Sequence, residues 1–137
     1  MTTTLDYRDN QSVSVPEPAL TLLSQAERGL ADAEVDPEPA QRFAQAYLAA
    51  LRAAAALLAV RGRPHRARSR PMSVWTLLAQ VAPELHEWAT FFAAWSSTRE
   101  SVQAGITRVV TTRSADDLVR QTGQFVDLAT RAIHGPS

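Results

Sequence analysis

Between Arg61 and Arg70 the chain reads RGRPHRARSR, with five arginines, one histidine and no carboxylate in ten residues. Guanidiniums spaced this closely repel one another and are stabilised by an anion: phosphate, carboxylate or an acidic protein face. Each can bind two oxygens at once, and a row of them can follow successive phosphates in a sequence-tolerant, salt-sensitive way. Arg61, Arg63, His65, Arg66, Arg68 and Arg70 are therefore the candidate nucleic-acid- or anion-binding residues. Across all 137 residues, 14 basic and 14 acidic groups cancel, so this cationic stretch is a local feature of a neutral protein.

Other chemistries find little support. The chain has no cysteine, which removes disulfides, thiolate metal sites and a cysteine nucleophile. Every cation in it is arginine, so a Schiff-base lysine and a P-loop lysine are absent too. His65, His86 and His134 are the only histidines, and none has a second donor at the His-x-x-x-His or Glu-x-x-His spacing that brings two ligands to one helix face. Five glycines provide no nucleophile elbow and no glycine-rich oxyanion loop. No catalytic residue, metal ligand or cofactor is assigned. Trp75, Trp88 and Trp95 could stack on bases, but they follow an apolar helical stripe and are read as core, Trp75 being the one offset from that stripe.

The elements that position the arginines are helices. Residues 1–14 are polar and aperiodic and are read as a flexible tail, with a helical domain over 15–134. Ser14-Val15-Pro16-Glu17 has the form of a helix start, and Leu20, Leu23, Ala26 and Leu30 recur at helical spacing, predicting a helix over 17–34. Asp36 and Pro37 open a second, with Phe43, Tyr47, Leu51, Ala55 and Leu58 on its buried face and Gly62 and Pro64 at its end. Ser73 caps a third, whose stripe runs through Pro83. Proline inside a helix costs about 3 kcal/mol, so the spacing predicts a short helix over 73–82 and a longer one over 83–104. Ile106 to Thr112 is a connector. Ser114, with Asp116 and Asp117 in the first turn, opens a last helix that Gly135 and Pro136 stop.

The fold class is thus all-α, an up-and-down bundle of four main helices plus a short one. Successive loops then lie at opposite ends. The first is acidic (Asp32, Glu34, Asp36, Glu38) and the second holds the arginines, so the two ends carry opposite charge. That polarity suits association between copies as well as nucleic-acid binding. The run Ala53 to Ala56 would let another helix pack closely, inside the molecule or across a dimer seam. No run of about 20 apolar residues is present to span a bilayer and no apolar leader precedes the domain, so the expected setting is cytoplasmic with no membrane partner.

Four stretches carry a family resemblance: ERGLADAE at 27–34, YLAALRAAAALLAVRGRP at 47–64, RPMSVWTLLAQVAPELHEWATFFAAW at 70–95 and ADDLVRQTGQFVDLA at 115–129. From Ala19 to about Ile133 the chain resembles the HEPN superfamily (higher eukaryotes and prokaryotes nucleotide-binding domains), in a little-characterised branch common in actinobacteria. The resemblance implies a helical bundle that often dimerises and, in many relatives, acts on RNA. Catalytic relatives place an arginine, then about four to six residues, then a histidine. Here those positions hold Leu58, Ala59 and Val60 before His65, Ala79, Gln80 and Val81 before His86, and Asp127, Leu128 and Ala129 before His134. Arg61 is one residue too close to His65, so ribonuclease activity is not carried over. The resulting expectation is a non-catalytic module for an anionic partner, RNA or a nucleotide. The alternative is a protein-interaction or dimerisation module, pairing with a second copy or an acidic protein, and a divergent ribonuclease using Arg61 or Arg63 with His65 ranks third.

Overall fold

A computed structural model of the chain describes residues 15–62 and 73–135; the expected tail over 1–14 lies outside them. Among the described residues the chain forms six α-helices, one 3-10 turn and no strand, an all-α bundle. The helices are α1 (Glu17–Val35), α2 (Pro39–Arg61), α3 (Val74–Val81), α4 (His86–Ala93), α5 (Ser96–Gln103) and α6 (Thr112–His134), with the 3-10 turn Pro83–Leu85 between α3 and α4.

α2 is the axis of the bundle. Phe43, Tyr47 and Leu58 are buried on it as the helical spacing predicts, whereas Leu51 and Ala55 are only half-buried and Leu57, not on the expected face, is buried. The remaining buried positions are alanines, among them Ala49, Ala50, Ala53 and Ala54. Side chains this small let neighbouring helices approach on several sides, so the Ala53 to Ala56 run is largely an internal contact. Gly29 of α1 faces Ala49, and Gly123 of α6 faces Leu30, which sets the register of the three long helices. An 18-residue window of α2 has a mean hydropathy of 1.6, enough with its length to pass for a membrane span, yet 56% of that window is buried within the bundle.

Arg42 pairs with Asp116 near the start of both α2 and α6, while Arg61 and Arg131 border one cleft near their ends. α2 and α6 therefore run parallel and α1 runs against both; α3 runs from the level of Tyr47 towards Arg61, and α4 and α5 form the returning limb, bringing Trp95 back to Phe43. The 83–104 segment, expected as one helix, is divided into the 3-10 turn, α4 and α5. Pro83 explains the first break. The second, at Ala94 and Trp95, has neither proline nor glycine; there the Ser96 hydroxyl donates to the Ala93 carbonyl at 2.7 Å, offering the backbone a competing partner.

Helix starts differ from the sequence reading in two places. α2 is capped by Glu38, whose side chain accepts from the Ala40 amide, while Asp36 accepts from the Glu38 amide one step earlier. α6 starts at Thr112 because Thr111 caps it in a reciprocal box with Ser114, which is the third helical residue rather than the cap. Ser73 caps α3 as expected. Ser14 falls outside the described residues.

Across the middle, α3 and the returning limb are bound to α2 through Tyr47. The Trp75 indole N–H donates to the Tyr47 hydroxyl at 2.9 Å, and that hydroxyl donates to the Phe92 carbonyl at 3.1 Å. Trp75 and Phe92 stack at 4.9 Å, and the Arg99 guanidinium lies 5.4 Å from the Tyr47 ring centre.

Candidate anion-binding pole

Arg61 is the last residue of α2, and Gly62 turns the chain away with φ 85° and ψ 162°, a region essentially reserved for glycine. The Gly62 amide still donates to the Leu58 carbonyl at 2.8 Å, so the helix is hydrogen-bonded up to the point of departure. Of the six candidate binding residues, the structure places Arg61; Arg63, His65, Arg66, Arg68 and Arg70 lie outside the described residues.

Arg61 is already engaged. Its Nη1 lies 2.6 Å from Glu84 Oε2 on the 3-10 turn, with the two side chains 35% and 56% exposed. A hydrogen bond donated to the carboxylate by Glu84's own backbone amide, and then the Arg61 guanidinium, hold the Glu84 carboxyl below the usual carboxylate range. Arg61, Glu84 and Arg131 border a cleft of about 490 Å³ whose apolar lining comes from Leu85, Leu128 and Ala132. Arg131 has no ion-pair partner among the described residues.

Charge at this pole is close to balanced among the described groups. Two guanidiniums face one carboxylate, and the C-terminal ends of α2 and α6 add about half a negative charge each. Arg61 and Arg131 stand in the last turns of those helices, the position that complements this field.

The opposite pole carries the acidic connection. Arg42, with a side chain only 12% exposed, binds Asp116 Oδ1 at 3.0 Å and donates to the Asp36 carbonyl at 2.6 Å, tying the 36–38 connection to the start of α6. Arg42, Glu84 and Arg131 were not singled out by the sequence reading. The only signal for them was a charged residue within the terminal turn of a helix, or just before one, which is common to most helices.

The aromatic and histidine candidates separate cleanly. Trp75, the one offset from the stripe, is 4% exposed and closes the core, so it offers no face for a base. Trp88 and Trp95 are half-buried against the same cluster. His86 opens α4 and His134 ends α6, both exposed and on different helices.

The model of the SAV_6107-like HEPN family matches residues 33–130. The chain belongs to the HEPN superfamily. In this HEPN domain the match spans all six helices, from the end of α1 to most of α6, and thus includes both connections that define the poles. No curated protein and no solved structure matches the chain. Among the described residues, the HEPN domain gathers no three His, Asp or Glu side chains at metal-binding distance.

Proposed function

We propose that this HEPN domain is a non-catalytic module that binds an anionic partner, RNA foremost and a nucleotide as the minimal form, through the arginines of 61–70. The observation that carries the reading is the charge surplus. Arg61 and Arg131 suffice for Glu84 and two helix ends, and four further arginines follow within the next nine residues without a carboxylate among them. The lack of an arginine five to seven residues before any histidine supports binding without cleavage.

Fluorescence anisotropy with a labelled single-stranded RNA tests it. If four or five phosphates are neutralised, affinity falls by roughly fifty- to a hundredfold between about 50 and 200 mM salt. Replacing Arg63, Arg66 and Arg68 together by alanine flattens that dependence, whereas Arg61→Ala changes it little because Glu84 already holds that side chain. Wild-type protein that binds no RNA at the lower salt sinks the reading.

A protein-interaction role is favoured by a different feature. Val35 is 80% exposed and Val109 44%, both near the acidic pole, with Ile106 at 39% on the same connector as Val109. A second copy or another protein covering this patch would show in sedimentation as a concentration-dependent rise in mass, and a monomer at every concentration with no captured partner would count against it.

A further inference from the structure

Glu84 and Glu87 stand one turn apart at the corner that opens α4, and they are served differently. Arg61 holds Glu84. Glu87 is exposed and has neither an ion-pair nor a hydrogen-bond partner among the described residues. Its own helix supplies no cation, because the positions three and four residues away are Glu84 and Pro83 behind it and Thr90 and Phe91 ahead. A carboxylate in the first turn of α4 suits the helix dipole. Among the described residues, however, no amide bonds to it, in contrast to Glu38 on α2.

The Glu87 carboxylate borders a recess between α4 and α6. Glu87, Trp88 and Phe91 line it from α4 and Gln121 from α6, around a volume of about 270 Å³. Ordinary ligand pockets hold roughly 300–1,000 Å³, so this one admits a head group and not a whole cofactor. Its single formal charge is negative.

Two of its walls are aromatic. On the inner side the Trp88 ring centre lies 6.1 Å from Phe92 and 5.5 Å from Phe125, and Phe91 meets Phe92 edge-on at 5.1 Å. On the outer side both rings remain half-buried and border the recess. Aromatic faces attract cations, indole most strongly, and guanidinium is the protein cation most often found there. The fold already uses this contact once, with Arg99 5.4 Å from the Tyr47 ring centre. Among the described residues no guanidinium stands over Trp88 or Phe91.

The polar groups narrow the choice of cation. An ionised Glu87 offers two acceptor oxygens, and the Gln121 side-chain carbonyl offers a third. A quaternary ammonium has no N–H to give them, and a primary ammonium is a compact, strongly hydrated point charge. A guanidinium is planar and weakly hydrated; it can lie against an indole while its N–H groups point sideways to a carboxylate.

We propose that the α4–α6 recess binds a guanidinium head, with Trp88 and Phe91 as its aromatic walls, Glu87 as the countercharge and the Gln121 carbonyl as a further acceptor. The head belongs either to a free guanidino compound or to an arginine side chain of a polypeptide, and the chemistry at the recess is the same. The proposal is independent of the RNA reading: it concerns a ligand of the opposite charge and uses none of residues 61–70.

An NMR titration of the full chain tests it, following the Trp88 indole and Gln121 side-chain amide resonances. The probes are acetyl-arginine amide and its lysine and citrulline counterparts, citrulline having the shape of arginine without the charge. The arginine probe should give saturable shifts at both resonances, and the citrulline probe should bind about fivefold more weakly or worse, as expected when one exposed ion pair is lost. Glu87→Gln should weaken the arginine probe by about the same factor, and Phe91→Leu by about threefold; circular dichroism confirms that both variants keep their helices. Comparing ethylguanidine with a Gly-Arg-Gly peptide separates the two sources: tighter binding of the peptide indicates a polypeptide ligand, and parity a free compound. No saturable shift at Trp88, an equal response to citrulline, tighter binding of lysine, or unchanged affinity in folded Glu87→Gln each overturns the proposal. None of these outcomes bears on the RNA titrations.

Discussion

The two poles of this bundle differ in what their charges are for. At the acidic pole Glu38 caps α2, Asp36 accepts from the Glu38 amide, and Asp116 holds Arg42, so three carboxylates are engaged by N-terminal turns or by one nearly buried guanidinium. At the other pole Arg61 and Arg131 already meet the needs of two helix ends and Glu84, and the sequence continues with four more arginines. Similar runs of like charge thus carry different weight. Acids at helix N-termini are largely explained by the fold itself, while the arginines after Gly62 form a run with no carboxylate among them.

The largest expected contrast is in binding. Substituting Arg63, Arg66 and Arg68 should abolish most of the fifty- to hundredfold salt effect on RNA affinity, whereas neutralising Asp32 and Glu34 at the far pole should shift affinity less than about threefold at 0.15 M salt, because α2 alone separates the poles by about 34 Å and the Debye length is about 8 Å. Equal effects from both poles in anisotropy titrations would erase the distinction.

Stability should show the opposite asymmetry. Arg42→Met removes charge-assisted hydrogen bonds from a side chain that is nearly buried, and should cost about 2 kcal/mol in urea unfolding. Arg61→Gln should leave the unfolding midpoint nearly unchanged, since its ion pair with Glu84 is exposed.

Tyr47 sharpens the comparison from between the poles. Tyr47→Phe leaves the Trp75 indole N–H without its acceptor and should cost about 1–3 kcal/mol. Burial is the main cause pushing the Tyr47 phenol above its ordinary value of 10.0; Glu100 adds to the rise, while the Trp75 hydrogen bond and the Arg99 cation oppose it. The folded state favours the neutral phenol, so this contribution is full below pH 10.0 and is lost as pH climbs towards the folded pKa. Tyr47→Phe should therefore flatten the alkaline loss of stability in a pH series of unfolding curves.

The smallest effect is at Glu84, whose carboxyl is held below its ordinary value of 4.5. Its contribution is present above that pH and disappears as pH falls through the folded pKa. Glu84→Gln should remove a slight acid-side slope and release Arg61, making the salt dependence of RNA binding marginally steeper.

Much of the fold was legible because its signals are local. Pro83 marked the corner, Ser73 a cap, Gly62 an end, and the Phe43, Tyr47 and Leu58 spacing the inner face of α2. The break at Trp95 was not legible, because Ala94 and Trp95 fit a helix and the competing Ser96 hydroxyl becomes visible only once the turn is formed. At α2 Asp36 and Glu38 each accept from the amide two residues on, and at α6 Thr111 and Ser114 each accept from the other's amide, so side-chain type alone did not say which residue marks the helix start. Of the binding pole, the arginine run was conspicuous, yet Arg61 alone of it falls within the described residues and its partner Glu84 is 23 positions away. Arg131 joins Arg61 and Glu84 only through tertiary proximity, which no spacing along one helix encodes.

Gly62 gives the basic pole a steering joint. With φ 85° and ψ 162° it turns the backbone off the axis of α2 on a heading that a residue bearing a Cβ would resist. A Cβ there would meet no heavy atom within 4 Å, so the resistance to one is torsional rather than a matter of crowding. A Gly62→Ala variant would keep every guanidinium and every helix, yet re-aim the chain as it leaves the bundle, separating the amount of positive charge from the direction in which it is offered.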